Sequence, residues 1–394
     1  MLRRLAATSV CLTVLFAALP ARTARRPQYG GTLRLDMGAD LASLDPAVAT
    51  TASEESAAKI QIDSLIYEGR NADGSFNGSP GSGPFKILSW EPGKRATLQA
   101  NESYNQGRPF VDSIEITMAR SVRDRLLDLE LNKADLAEIP AQDARQSAER
   151  GVRISQSPPD ELLALVFLDD RPAASDGRAR EIIGQSISLA IDRSAITTFL
   201  LQKVGEPAGA LLPQWSSGTS FLFSTSADVP RAKELWSQIT PSRNIVLGYD
   251  SADALEQSVA ERIVVNAKEA GISLKAVADA TNKSTNVDAR LIRAPMISPN
   301  PATALNGILQ TLDPLGRGGF SAKPLRESSS AQEIYGRERA VVDAFRIVPL
   351  VWIPRVYGLS ARVRNWAAPA PGQTWPLADV WLDTDGKSSD LKDQ

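Results

Sequence analysis

Asp169 and Asp170 stand side by side at the end of "ELLALVFLDD", the nearest this chain comes to the paired carboxylates of general acid–base chemistry. They run into a Pro/Ala/Ser stretch, so a solvated turn accounts for them more simply. The chain has no histidine. That removes Ser-His-Asp and Cys-His nucleophile pairs, histidine-bearing zinc sites and the commonest proton shuttle. Carboxylate pairs, Ser-Lys dyads and all-oxygen metal sites remain open, but sequence context marks none of them. The glycine clusters "GSPGSGPF" and "GRGGF" lack a following Lys-Ser/Thr and a strand-to-helix setting, so they are turns before they are phosphate cradles. No catalytic centre stands out, and neither a cofactor nor a metal is expected.

Long-range electrostatics narrows the partners. A formal charge of −2 over 394 residues supplies no basic field for nucleic acid and no acidic tail. The length suffices for two or three compact units, and 43% hydrophobic content supports a folded core. The first residues, "MLRRLAATSVCLTVLFAALPARTARR", join Arg3 and Arg4 to an apolar run from Leu5 to Leu19. Such a run of about 15 residues is short for a bilayer core that needs about 20, so residues 1–24 are expected to be a signal peptide. The single cysteine, Cys11, lies inside that run and lacks the small residue that precedes a lipidated cysteine. An exported, disulfide-free, unanchored chain is expected in a periplasm.

The elements that would position a binding site follow from periodicity. "GGTLRLDMG" alternates like a half-buried strand, and "FKILSW" and "ATLQAN" flank "EPGK" as a hairpin. "RDRLLDLELNKADLA" and "AREIIGQSISLAIDRSAITTFLL" space apolar residues three and four apart and are expected as amphipathic helices. "NIVLGYD", "ALEQSVAERIVVNAKEAG" and "ISLKAV" form a strand, a helix with a Gly stop and a second strand, a βαβ unit. "ELLALVF" and "VPLVWIPRVYGLSARV" add further strands.

The order of these segments resembles a family, the extracellular solute-binding proteins of peptide- and nickel-type ABC importers. The resemblance rests on "YGGTLRL" with "LDPA", "LIYEG", "GSGPFKILSWEPGKRATLQANESYNQGRPFVDSIEI", "RLLDLELNKADLAEIP", "ISLAIDRSAI", "GEPAGALLPQW" and "RIVPLVWIPRVYGLSARVRNW". It implies an α/β fold of two hinged, Venus-flytrap-like lobes, each with mixed sheets flanked by helices. Lobe I would comprise 25–158 and 349–394 and lobe II 159–348, with crossings near Pro158 and Pro349. In the family an extra subdomain follows the segment like "LIYEG"; here only about residues 69–80 stand in its place, so that subdomain is expected to be missing. The function implied is capture of a small solute, peptide-like or a neutral or anionic organic molecule, and its delivery to an inner-membrane ABC permease. A degenerate member acting as a solute-free scaffold through protein contacts is the alternative.

Tyr67, Trp215 and Tyr357, aromatics near the crossings or in interlobe loops, are the candidates to line the cleft; core or hinge packing is the competing account for each. Arg293, an isolated cation in "RLIRAPMI", is placed at a strand end either to meet a solute carboxylate or to be solvated. Trp352 and Trp366 are expected in core packing. Aligning "LIRAPMISPNPATAL" on the segment with which peptide-binding members hold a terminal ammonium puts Ile297 where they carry an aspartate and Ala294 where they carry a tryptophan. Without that carboxylate a neutral or anionic solute is expected.

Overall fold

The computed structural model describes residues 26–41, 62, 65–66, 82–168, 177–241, 243–279, 286–313 and 323–383. The expected signal peptide, Cys11, Tyr67, the 69–80 connector and Asp169–Asp170 lie outside them.

Two sheets organise the chain. The first has seven strands in the order β2-β3-β4-β1-β5-β13-β6. They are β1 (Thr32–Asp36), β2 (Phe85–Glu91), β3 (Arg95–Ala100), β4 (Ser113–Thr117), β5 (Leu136–Ile139), β6 (Arg153–Gln156) and, from far along the chain, β13 (Val356–Leu359). β1 runs parallel to β4 and β5, while β13 pairs antiparallel with both β5 and β6. The expected hairpin is β2–β3, closed around Pro92 and Gly93. The second sheet has six strands in the order β10-β9-β11-β7-β12-β8: β7 (Glu161–Phe167), β8 (Glu206–Pro207), β9 (Ile245–Tyr249), β10 (Leu274–Ala278), β11 (Ala289–Pro295) and β12 (Ile347–Ile353). β9 and β10 pair in parallel through the intervening helix, as the βαβ reading expects.

Why β7 is a continuous apolar run is visible in its packing. Leu163 and Leu165 join the core beneath helices Gly177–Ala190 and Ala254–Glu269. Leu162, Ala164 and Val166 join a separate core with helices Pro301–Leu312 and Ala331–Val342. Helices cover both faces, so alternation disappears and every position from Leu162 to Phe167 is apolar.

Two helical expectations end earlier than the periodicity suggested. The helix Val122–Glu130 stops before Asn132, which takes φ 55, and "ADLAEI" then feeds β5. The long helix from Gly177 ends at Ala190, because the Asp192 side chain accepts the Ala195 N–H and caps a new helical start.

The placement of the return crossing at Pro349 requires correction. Pro349 lies inside β12, paired with β7 and buried in the second sheet, and the chain passes to the first sheet at Pro354–Arg355. The proline is accommodated because the ladder shifts register between Pro349 and Val351, a bulge that tolerates a residue without an N–H. The Pro349 carbonyl accepts from the buried Arg193 Nε at 2.8 Å.

The described residues that flank the connector, Ile66 and Gly83, are bonded to each other. Gly83 N–H donates to the Ile66 carbonyl at 3.2 Å, and Asn101 Nδ2 donates to the Gly83 carbonyl at 2.8 Å. A Cβ on Gly83 would stand 2.6 Å from backbone atoms of Leu65 and Ile66. Gly83→Ala is therefore expected to cost about 2 kcal/mol or more in urea unfolding. Gly336→Ala, where a Cβ meets open space inside a helix, is expected to gain roughly 0.5–1 kcal/mol. Equal stabilities for the two variants would contradict this packing.

Candidate functional site

The chain passes between the sheets twice, at Ser157–Asp160 and at Pro354–Arg355, and the two passages are bonded to each other. Ser157 N–H donates to the Arg355 carbonyl at 3.0 Å, Arg355 N–H to Ser157 Oγ at 2.9 Å, and Asp160 N–H to the Ile353 carbonyl at 3.1 Å. Arg355 Nε donates to Asp160 Oδ2 at 2.8 Å. Asp160 is 1% exposed. Burial pushes its carboxyl up and Arg355 pulls it back only to about 6.

Three of the four candidate residues lie around these passages. Trp215, on the short helix Gln214–Ser217, donates its indole N–H to the Pro159 carbonyl at 3.0 Å while staying 42% exposed. Tyr357 on β13 stands opposite Glu138 of β5 and packs edge-on against Trp366 at 5.2 Å; it is buried, so its role in packing is direct. Trp352 is buried as expected, and Trp366 is half-buried against the core of the first sheet. Tyr67 lies outside the described residues.

Arg293 is neither solvated nor waiting for an anion. Its Nη1 donates to Glu161 Oε2 at 2.6 Å and its Nε to Asp253 Oδ2 at 2.6 Å, with Glu256 Oε1 3.9 Å away. Burial works against its charge, and Glu161 and Asp253 more than offset it, so its pKa rises above the ordinary value. The consequence for the expected solute is direct: the one cation held to favour an anion is already balanced. Ile297 is 60% exposed, its side chain over Gly307, and Ala294 is fully buried.

Glu138, Asp160, Glu161 and Arg355 form the charged floor between the sheets, and periodicity singled out none of them. The available signal was positional: Asp160 and Arg355 each follow a proline at a change of sheet. Glu138 is exposed at its surface yet hemmed in by protein. Burial lifts its carboxyl to about 7, with Arg355 and Arg125 opposing and Asp160 and Glu161 adding to the rise. Burial does the same for Glu256, again to about 7. Among the described residues no cluster of His, Cys, Asp or Glu has the arrangement to hold a metal ion. A cavity of about 370 Å³ in the second unit, lined by Phe167, Ile183, Ile245 and Phe345, opens at the opposite ends of β7 and β12 from the passages.

With this geometry in place, the comparisons with known proteins decide the family. The profile of bacterial extracellular solute-binding proteins, family 5 Middle, matches residues 42–312, more than half of the chain. The chain belongs to that family. It is 27% identical over 155 residues to the oligopeptide-binding protein AppA of Bacillus subtilis (strain 168), covering 38% of this chain and 26% of that protein. The aligned stretch thus spans about a quarter of that relative. Among solved structures it is similar to DppA from Helicobacter pylori in complex with peptide STSA, with a TM-score of 0.66 and 13% identity, covering 90% of this chain and 99% of that one. It is also similar to NikA from Brucella suis in complex with Fe(III)-EDTA, with a TM-score of 0.64 and 17% identity, covering 81% and 72%. The fold is therefore that of the two-lobed periplasmic binding proteins, α/β with mixed sheets flanked by helices. Members of family 5 are binding proteins and not enzymes. No helix among the described residues is long and apolar enough to cross a membrane.

Titration of the floor sets the pH dependence of folding. Asp160 at about 6 and the buried Glu256 and Glu338 at about 7 hold protons in the folded state at pH values where the unfolded chain has lost them. Stability is then largest near pH 4–5 and falls as pH rises toward 7. Asp135 opposes this only in acid: burial raises its carboxyl, Arg362 and Arg34 pull it down to about 2, and its contribution fades as pH drops below 4. Calorimetry is expected to give a Tm at pH 5 at least about 3 °C above that at pH 8; a Tm that rises with pH would refute the assignment.

Proposed function

We propose that this protein is the periplasmic solute-capturing component of an ABC importer, exported by its N-terminal signal peptide and delivering a small, peptide-like solute to an inner-membrane permease. The observation that carries the reading is the pair of adjacent passages: two sheets with separate helices are joined at Ser157–Asp160 and Pro354–Arg355, and these strands are bonded to each other. Such a junction restricts relative motion of the lobes to rotation about one short axis, the motion that closes a hinged binding protein around its solute. The lobes would be 26–158 with 355–383, and 159–354, with the solute held between them. Membership of family 5 and the peptide in the DppA structure support the peptide-like class. The Fe(III)-EDTA in the NikA structure indicates that a lobed fold of this kind also accepts small chelates.

Closure is measurable without knowing the solute. A thermal-shift screen against peptides, sugars, amino acids and metal chelates is expected to find a compound that raises Tm, since selective binding to the folded state stabilises it with the logarithm of saturation. With that compound, small-angle scattering is expected to report compaction and tryptophan emission to change through Trp215, which is bonded to the passage and still open to solvent. A saturating ligand that leaves both signals unchanged would rule out hinged capture. A screen without any hit would leave the scaffold role.

Arg355→Met tests the junction itself. Removing the partner of a buried carboxylate is expected to cost about 3 kcal/mol at pH 8. The loss should shrink at pH 5, where Asp160 is mostly protonated. A loss that is the same at both values, in urea unfolding, would show that the ion pair is not what holds the passages.

A further inference from the structure

The ion pairs at the floor between the lobes leave Glu138 without a bonded partner of its own. Arg293 is committed to Glu161 and Asp253, and Arg355 to Asp160. Arg125 donates to the backbone carbonyl of Glu138 and not to its carboxylate. The Glu138 side chain, exposed between the lobes, forms no hydrogen bond or ion pair with any described residue. Arg355 and Arg125 act on it only at longer range, so its carboxylate oxygens stay open to a partner from outside the chain.

A second, independent group faces the same place. Tyr357 stands directly opposite Glu138 in the antiparallel ladder, so the two side chains share a face of the sheet. Tyr357 is 1% exposed, and its hydroxyl is buried without a hydrogen bond. The Trp375 indole lies beside that hydroxyl and opposes the rise that burial gives its pKa. Glu138, Arg355 and Asp160 all act electrostatically on the hydroxyl, which sets it among the charges of the floor. A buried, unsatisfied hydroxyl costs about 1–3 kcal/mol, and a docking polar group would recover part of that.

We propose that Glu138 anchors a cationic group of the solute, an ammonium or a guanidinium, with the Tyr357 hydroxyl bonding the polar atoms next to it. This rests on the solute-capturing reading and narrows it. Arg293 and Arg355 are both committed to carboxylates, so a positive end of the solute is the one that finds a group without a bonded partner here. The apolar Ile297 removes the second-lobe carboxylate that the sequence comparison looked for, and Glu138 places the acid on the first lobe instead.

A tripeptide library built from uncharged residues and prepared in four end-capped forms tests this by calorimetric titration: free amino end with amidated carboxyl end, both ends free, both ends capped, and acetylated amino end with free carboxylate. The amino-free, amidated form is expected to bind, and acetylation to weaken it tenfold or more. Glu138→Gln is expected to lose the same factor for that form and to leave the doubly capped form unchanged. It should melt at or above the wild-type temperature, because no internal bond is removed. Glu91→Gln, an exposed acid on β2, serves as the charge control and is expected to change nothing. Equal binding of acetylated and amino-free forms, or full retention by Glu138→Gln, would overturn the cation anchor while leaving solute capture standing. Failure of all four forms would overturn both the anchor and the peptide-like solute class.

Discussion

Everything about the relation of the two lobes depends on one buried carboxylate. Asp160 follows two prolines at the point where the chain leaves the first sheet, and Arg355 follows a proline where it returns. Prolines fix φ and remove donors, so neither passage can slide along the other in the manner of an ordinary ladder. Register is set by side chains: Ser157 Oγ takes the Arg355 N–H, and Asp160 takes the Arg355 guanidinium. Burying such a pair gives little net stability, since desolvation consumes most of the attraction. What it supplies is a single alignment of the two passages.

The charges around the junction follow from where the strands end. Asp253 caps the helix after β9, Glu161 begins β7, and Arg293 lies near the end of β11 between them. The carboxyl ends of parallel strands, with helix N-termini beside them, are where an open α/β sheet collects ligands. In this chain the second-lobe charges at that edge are satisfied internally. On the first lobe Glu138 differs, with Arg355 and Arg125 acting on it at longer range and no bonded partner.

Much of the fold was legible because it is written locally. A two-residue period identifies β1 and the β2–β3 hairpin, and a strand-helix-Gly-strand series identifies the parallel β9–β10 pair. What local reading could not reach is which strands become neighbours. Pro349 resembled a boundary because prolines usually end strands; only the presence of β7 and Arg193 alongside turns it into a bulge inside β12. Arg293 was legible as an isolated cation, but its partners lie 40 and 132 positions away. Glu138 sits in the ordinary-looking "LAEIP", and nothing in that string reveals that Tyr357, more than two hundred residues later, will lie across from it.

That long-range pairing also explains how the first lobe is made from two ends of one chain. β5 and β6 are consecutive in sequence, but they do not touch as strands; β13 fills the space between them, and β6 has no other partner in the sheet. Asp135, fully buried at the start of β5, binds Arg34 before β5 in sequence and Arg362 and Ser360 after β13. Its carboxylate is held ionised by the two guanidiniums, one from each end of the chain. The first lobe therefore acquires its last two strands and the partners of its central acid only when the chain has come back from the second. Since β13 begins directly after Arg355, the residue that fixes the junction and the strand that completes the lobe arrive together. The place of Glu138 opposite Tyr357 and the alignment of the two passages are thus two results of the same return passage.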